Sequence, residues 1–370
     1  MQDLALNTLN SIKIDKWVPD GNKPFTIFGP CSAENEEQVL LTAAGIHKNF
    51  PNNVFRAGIW KPRSRPGAFE GAGNEGLHWL KNVKEQFGMQ VATEVATPEH
   101  LEACLRAGID MVWIGARTTV NPFSIQELAD ALKGVDIPVF IKNPINPDIS
   151  LWLGAIERIQ RAGVKKIAVI HRGFQSFENS VYRYTPRWEL VIDLKSLRPD
   201  IPIICDASHI SGTPELIEGV VQKALDLDFQ GIMVETHNNP SVALSDAKQQ
   251  ITPFQLKSMM DKIIIRKSDA VDIDFYQKLV ELRASVDSID DLILQALISR
   301  NNFIEQIGNY KFEKNMTILQ MQRWEEILKR QLENGIASGL SPEFIKKIYE
   351  LIHSEAISIQ TDLFQKKNKI

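Results

Sequence analysis

Short apolar runs in this chain repeatedly end on a residue capable of chemistry. Cys31 follows FTIFGP, Lys61 follows NVFRAGIW, Arg117 follows MVWIGA, and Lys142 closes PVFIK. Arg172 follows KIAVIH, Asp206 and His209 stand in PIICDASH, and Glu235 closes GIMVE. A lone lysine at such a place is ordinarily a surface residue. Together the set supplies four cations, a thiol, an imidazole and two carboxylates, whereas a solvated rim would mix in Ser, Asn and Thr. Fixed cations in that number suit a multiply charged anionic substrate. Cys31, His209 and Glu235, with Asp246 shortly beyond the last run, offer one sulfur, one nitrogen and two oxygen donors. That mixed set suits a divalent transition metal, which leaves manganese, iron, zinc and cobalt open, and manganese is the one expected; magnesium prefers oxygen ligands. His237 is assigned a packing or supporting role.

These side chains can act together only if the runs converge. From Pro24 to about residue 255, eight β-branched runs alternate with amphipathic segments such as EEQVLLTAAGIHKNF and TPEHLEACLRAG. A repeat of about thirty residues is that of a βα unit. Eight such units predict an α/β fold, a closed (β/α)8 TIM barrel, rather than a doubly wound sheet, and no GxGxxG follows the first run. In such barrels functional groups gather at the C-terminal ends of the strands. Runs one, seven and eight become neighbours on closure, so the four metal donors can meet.

Beyond the barrel the pattern changes. Residues 256–271 carry mixed charge and read as the last barrel helix running into a linker, and no strand candidate follows Asp272. A long helix is expected from there, unbroken by proline and free of glycine before Gly308. A second is expected over residues 319–334, and a third begins at Ser341-Pro342, an N-cap followed by proline at the first helical position. The expected organisation is a barrel over residues 1–260, a linker over 261–271 and a small all-α domain over 272–370. The long helix carries a four-three seam: Phe275, Leu279, Leu282, Val286, Ile289, Ile293, Ala296, Arg300, Phe303 and Ile307. Such a seam is ordinarily helix packing. Arg300 is the anomaly, because a guanidinium in an apolar stripe is costly unless an anion meets it. Arg283 and Lys311 flank the same stripe. Arg283 lies seventeen residues before Arg300, about 25 Å along a helix. If both serve one small ligand, Arg283 comes from a second chain, which predicts an intertwined helical homodimer.

Composition narrows the partners. The chain has 370 residues, is 44% apolar and 24% charged, and carries a formal net charge of −4. No general basic field attracts nucleic acid or an anionic membrane. No run is suited to a signal peptide or a bilayer span. Three separated cysteines without a CxxC pair point to a reducing cytoplasm rather than a disulfide scaffold. Cys104, in EHLEACLRAG, reads as a buried helix residue.

GPCSAE, FRAG with WKPRS, IGARTT, FIKN, HRG, DASH and VETH with ALSDAKQQ resemble, in order, the motifs of 3-deoxy-D-arabino-heptulosonate 7-phosphate synthase, in its compact type I-beta branch. The resemblance implies condensation of phosphoenolpyruvate with erythrose 4-phosphate. It implies that Cys31, His209, Glu235 and Asp246 hold the metal, and that Arg117, Lys142 and Arg172 meet the phosphoenolpyruvate phosphate. Arg56 and Lys61 would meet its carboxylate, Lys61 also handling protons near the aldehyde, and Arg63, Ser64 and Asp206 would serve erythrose 4-phosphate. The rival on the same fold is octulosonate 8-phosphate synthase, which resembles this chain less because it carries an Ala-Asn-Arg type motif in place of Lys61-Pro62-Arg63-Ser64. His171 stands where the branch often has an acid.

The tail resembles the all-helical class of chorismate mutase over residues 272 to 365, on Arg283, Arg300, Lys311, Arg323 and Gln360. Trp324, Ala356 and Gln320 depart from residues common in that class. The resemblance implies conversion of chorismate to prephenate, with Arg283 and Arg300 clamping carboxylates and Lys311 and Gln360 donating to the breaking ether oxygen. The alternative is a tail that serves only as a dimerisation or regulatory module. With the barrel starting almost at the N-terminus, regulation is expected to come from the tail, with prephenate as the inhibitory ligand.

Overall fold

The computed structural model describes residues 14–17, 24–61, 67–176, 180–266 and 273–368. Its contacts divide the chain into a unit ending at Ser268 and one starting at Asp269. In the first, β1 (Phe25–Gly29) leads to α1 (Glu36–His47), β2 (Val54–Arg56) to α2 (Glu75–Phe87) and β3 (Val91–Val95) to α3 (Pro98–Ala107). β4 (Met111–Ile114) precedes α4 (Ala116–Thr119) and α5 (Pro122–Ala131), β5 (Val139–Lys142) precedes α6 (Ile149–Arg161), and β6 (Ile167–His171) precedes α7 (Trp188–Leu197). β7 (Ile203–Asp206) runs into α8 (Ala207–Ser211) and α9 (Pro214–Asp226), and β8 (Gly231–Glu235) precedes α10 (Pro253–Met260). The strands form a closed barrel in sequence order, parallel throughout, with β1 paired to both β2 and β8. The expected barrel is thus present, and its last helix starts a few residues ahead of the segment expected to hold it.

Strand alternation explains the core. One set of side chains, including Ile27, Val54, Ala92, Trp113, Phe140, Ile170, Ile204 and Met233, fills the barrel interior. The alternate set packs against the helices, as the two-residue period of a strand requires. Ile14 and Trp17 join the interior set, with Trp17 edge-on to Phe140 at 5.5 Å and to Phe25 at 6.4 Å. Because Phe25 opens β1, these residues close the N-terminal end of the barrel. The helices begin on side-chain caps, Asn35 for α1, Thr97 for α3 and Asp148 for α6, each satisfying amide donors that a first turn leaves free.

The described residues of the second unit form three helices, α11 (Ile273–Glu313), α12 (Met321–Ala337) and α13 (Pro342–Asn368). The second starts two residues later and ends three residues later than the spacing suggested, and Ser341 Oγ caps the third by accepting from Phe344 N at 3.2 Å. α13 packs on both others. Among the described residues of this unit, α12 and α13 leave much of the apolar seam of α11 open: Phe275, Leu282, Val286, Ile289, Ile293 and Phe303 are each more than half exposed. No helix among the described residues is long and apolar enough to cross a membrane.

Candidate active sites

The barrel's interior register delivers the functional groups. Two residues beyond Val54, Ala92, Phe140, Ile170, Ile204 and Met233 stand Arg56, Glu94, Lys142, Arg172, Asp206 and Glu235. Each therefore points inward at the C-terminal mouth, one layer above the apolar fill. Two glycines permit the crowding. A Cβ on Gly29 would lie 2.1 Å from the Arg56 carbonyl, and one on Gly115 would lie 2.2 Å from Glu94 Oε1. A cavity of about 130 Å³ opens there, lined by Lys61, Glu94, Ala116, Arg117, Lys142, Ile145, Arg172, Arg183, Tyr184, His209 and Asp246.

One side of this mouth gathers the proposed metal donors. Donor atoms of Cys31, Glu235 and Asp246 all lie within 4.8 Å of one another. His209 stands beside this cluster, its Nδ1 at 2.9 Å from Asp206 and 3.8 Å from Glu235 Oε1. Cys31 Sγ is 3.5 Å from Asp246 Oδ2, and Lys61 Nζ donates to Cys31 Sγ at 3.1 Å and to the Cys31 carbonyl at 3.0 Å. Glu235 Oε1 is buried without a hydrogen bond; Arg56 approaches it at 3.2 Å as an ion pair but outside hydrogen-bond geometry.

Burial and crowding of charge set the protonation states. Burial, with the Glu235 charge adding, pushes the Cys31 thiol well above its ordinary range. Burial also works against ionising Glu235, Asp206 and Asp246, but nearby basic groups overcome it and hold all three below the usual carboxylate range: His209 while it is protonated and Arg56 for Glu235, protonated His209 and Lys142 for Asp206, and protonated His209 and Arg183 for Asp246. Burial works against the Lys61 charge, yet Cys31 and Glu235 raise its pKa overall, so it stays an ammonium. Burial lowers His209, favouring the neutral imidazole that a metal requires. Lys142 pairs with Asp206 at 2.8 Å in full burial, and the Arg172 guanidinium lies 3.4 Å over the Tyr184 ring. Arg172 Nη1 is buried without a hydrogen bond. Arg63 and Ser64 lie outside the described residues.

His237 is buried, its Nδ1 accepting from Asn239 N at 2.9 Å, and it takes no place among the donors. Cys104 is buried in α3, where burial pushes its thiol up to about 12. Glu94, Arg183, Tyr184 and Gln249 belong to the mouth although no sequence argument singled them out. Glu94 carries the same strand-end signal as the others, in QVATEVA. Arg183 and Tyr184 come from the segment between β6 and α7, where no periodicity marks them.

In the helical unit a cavity of about 410 Å³ is lined by Ile293, Ala296, Leu297, Arg300, Trp324, Ile327, Arg330, Gln331, Tyr349, Ile352 and His353. Of the five tail residues singled out in the sequence, Arg300 alone is among this lining. Burial lowers its pKa, and its Nη1 donates to the Ile352 carbonyl at 3.4 Å. Lys311 Nζ donates to the Ile318 carbonyl at 2.6 Å, and Arg323 pairs with Glu326 at 3.2 Å on the surface. Gln360 is buried with its Oε1 unpartnered, and Arg283 is exposed. Trp324 stacks on His353 with ring centres 4.1 Å apart.

Fold and mouth together define a (β/α)8-barrel enzyme with a cation-lined cavity at its C-terminal face, followed in the chain by a helical unit. The family model for the DAHP synthetase I family matches residues 10–270, and that for chorismate mutase type II matches residues 282–361. The chain belongs to the DAHP synthetase I family and carries a chorismate mutase type II domain after the barrel. Among similar proteins, a phospho-2-dehydro-3-deoxyheptonate aldolase of Thermotoga maritima is 32% identical over 254 residues, 68% of this chain and 72% of that protein. A 2-dehydro-3-deoxyphosphooctonate aldolase of Variovorax paradoxus is 25% identical over 287 residues, covering 68% of this chain and 95% of that protein. The crystal structure of the Thermotoga maritima DAHP synthase superposes with a TM-score of 0.58 at 30% identity, over 65% of this chain and 68% of that one. A truncated form of the Thermotoga maritima 3-deoxy-D-arabino-heptulosonate 7-phosphate synthase gives 0.55 at 28% identity, over 65% and 86%.

Proposed function

We propose that the chain is a bifunctional enzyme of aromatic amino-acid biosynthesis. Its barrel condenses phosphoenolpyruvate with erythrose 4-phosphate, and its helical domain rearranges chorismate to prephenate. The observation that carries the barrel reading is the convergence of Lys61, Arg117, Lys142 and Arg172 on one cavity beside the Cys31, Glu235 and Asp246 cluster, within a family match over residues 10–270. A divalent metal, manganese first, fits that cluster: the donors are soft and hard together, and Glu235 Oε1 is buried with no hydrogen bond, held only by its ion pair with Arg56. Cys31, His209, Glu235 and Asp246 would hold it, and when bound it supplies a Lewis acid toward the aldehyde oxygen.

The chain's own residues do the rest. Arg117, Lys142 and Arg172 hold the phosphate of phosphoenolpyruvate, and Arg56 and Lys61 its carboxylate, while Arg63, Ser64 and Asp206 serve erythrose 4-phosphate. The enol carbon adds to the aldehyde carbon, and the Lys61 ammonium gives a proton to the resulting alkoxide oxygen. Water adds at the adjacent, now electron-poor carbon and loses one proton to solvent, giving a hemiketal phosphate; its hydroxyl then closes to the ketone, passing its proton to the departing phosphate as the C–O bond breaks, with the leaving group held by fixed cations. In the helical domain no nucleophile is needed. Arg300 and the Arg283 of a second copy clamp the two carboxylates of chorismate in a compact conformer, while Lys311 and Gln360 donate to the ether oxygen as it leaves, with Arg323 among the binding groups.

The 25% identical octulosonate relative makes arabinose 5-phosphate the competing aldehyde. The test is to offer the full chain phosphoenolpyruvate with each aldehyde in turn and follow phosphoenolpyruvate loss. Consumption with erythrose 4-phosphate and none with arabinose 5-phosphate is expected. The reverse preference would transfer the barrel to the octulosonate reaction.

A further inference from the structure

Two carboxylates beside a thiol repel one another, and each can turn an oxygen toward a cation reliably only if its other oxygen is tied elsewhere. The buried Gln249 and the partly exposed Arg183 supply those ties. Gln249 Nε2 donates to Glu235 Oε2 at 2.6 Å, and Gln249 Oε1 accepts from Arg183 Nη1. The same Arg183 nitrogen donates to Asp246 Oδ1 at 3.0 Å. The amide has only one workable orientation, since flipping it would set its oxygen against a carboxylate and its NH2 against a guanidinium. Of the oxygens left over, Asp246 Oδ2 faces the thiol, and Glu235 Oε1 lies 3.2 Å from Arg56 Nη2 and 3.8 Å from His209 Nδ1. Asp246 Oδ2 is 3.5 Å from Cys31 Sγ, and Glu235 Oε1 has no hydrogen bond.

We propose that Gln249 and Arg183 are positioning residues of the metal centre, one relay running from Glu235 through Gln249 and Arg183 to Asp246 that fixes the rotamers of both carboxylate ligands. The inference rests on the reading of Cys31, His209, Glu235 and Asp246 as metal ligands. The relay has reach beyond the ligands, because Arg183 arrives from the segment between β6 and α7. There it lies 5.4 Å from the Tyr184 ring, on which Arg172 of the anion side is stacked. Asp246 itself sits in left-handed backbone at φ 48°, a conformation that neighbouring contacts must hold in place.

The test strips metal from the full-length protein and titrates it with Co2+ against a competing chelator, following thiolate-to-cobalt charge-transfer absorption. Wild-type protein should develop that band, and Gln249→Leu and Arg183→Met should each weaken Co2+ binding by roughly 10–100-fold and alter the visible spectrum, as losses of ligand-orienting groups do. The double variant should lose far less than the product of the two, because both break one relay. Arg183→Lys should recover part of the loss. Arg183 is exposed enough for its substitutions to fold, so they decide the matter if Gln249→Leu does not. Folded variants with wild-type Co2+ affinity and spectrum, alongside a Cys31→Ala variant that loses the band, would overturn the relay and leave the metal site standing. No thiolate band in the wild type would overturn both.

Discussion

Arg56, Glu94, Lys142, Arg172, Asp206 and Glu235 are placed by arithmetic that a sequence displays: each follows an interior apolar residue by two. That is why most of the mouth was legible before any coordinates, and why residues one step out of phase behave differently. His171 is such a residue. It faces outward among Phe174, Trp188 and Phe229, with no ring nitrogen in hydrogen-bond geometry and only an off-geometry approach to the Pro186 backbone. Burial, helped by the Arg172 charge, lowers its pKa from 6.5 to about 3. The folded value lies below the unfolded one, so the unfolded state takes the proton first. Stability is then full above about pH 6.5 and falls as pH drops toward 3, with a slope of up to about 1.4 kcal/mol per pH unit. His171→Leu should therefore flatten the pH dependence of barrel unfolding between about pH 6.5 and 4.5, above the range where carboxylates titrate. Denaturant titrations at several pH values measure this, and equal slopes in wild type and variant would contradict it. Arg183 and Gln249 escaped the sequence because their roles depend on where two irregular segments meet, which no periodicity encodes.

Among the elements, the strands and the three long helices follow from pattern, whereas the residues closing the barrel floor do not. Ile14 and Trp17 lie in a short 3-10 turn and its exit, and nothing in their spacing says that they enter a barrel interior. For α11 the seam was readable from its four-three spacing, but only burial shows that α12 and α13 leave much of it uncovered. At 41 residues the helix is long enough to separate Arg283 from Arg300 beyond the reach of one small ligand. A second copy laid along the seam would cover the apolar stripe and bring its own Arg283 to the first copy's Arg300. Arg300→Ala is expected to lower prephenate formation by about 10²-fold or more, the loss of one charge-assisted clamp in a secluded site. Arg283→Ala should do similarly. Mixing the two variants and allowing subunit exchange should restore part of the activity, because a mixed dimer holds one site with both arginines. No recovery after verified exchange would count against a site shared between chains.

At the scale of the whole chain, a DAHP synthetase I family barrel and a chorismate mutase type II domain are covalently joined, and the substrate proposed for the helical unit is made downstream of the barrel's proposed product. A ligand of that unit can regulate the barrel only if it favours one arrangement of the chain over another. A preference of about 1–3 kcal/mol would change affinity roughly 5–150-fold. Prephenate is the proposed ligand, and it should inhibit phosphoenolpyruvate consumption in the full chain and fail to do so in Arg300→Ala. Inhibition undiminished by Arg300→Ala would locate the sensor in the barrel. The reading proposed for the chain divides the labour between a metal-dependent condensation in the barrel and a metal-free rearrangement in the tail. It is tested most directly by assaying both reactions on one preparation of the full chain, stripped with a chelator and then reloaded with manganese. Chelation should abolish the condensation of phosphoenolpyruvate with erythrose 4-phosphate and leave prephenate formation from chorismate intact, and manganese should restore the condensation. Full condensation in a stringently metal-free sample, or a full chain that forms no prephenate with or without metal, would contradict it.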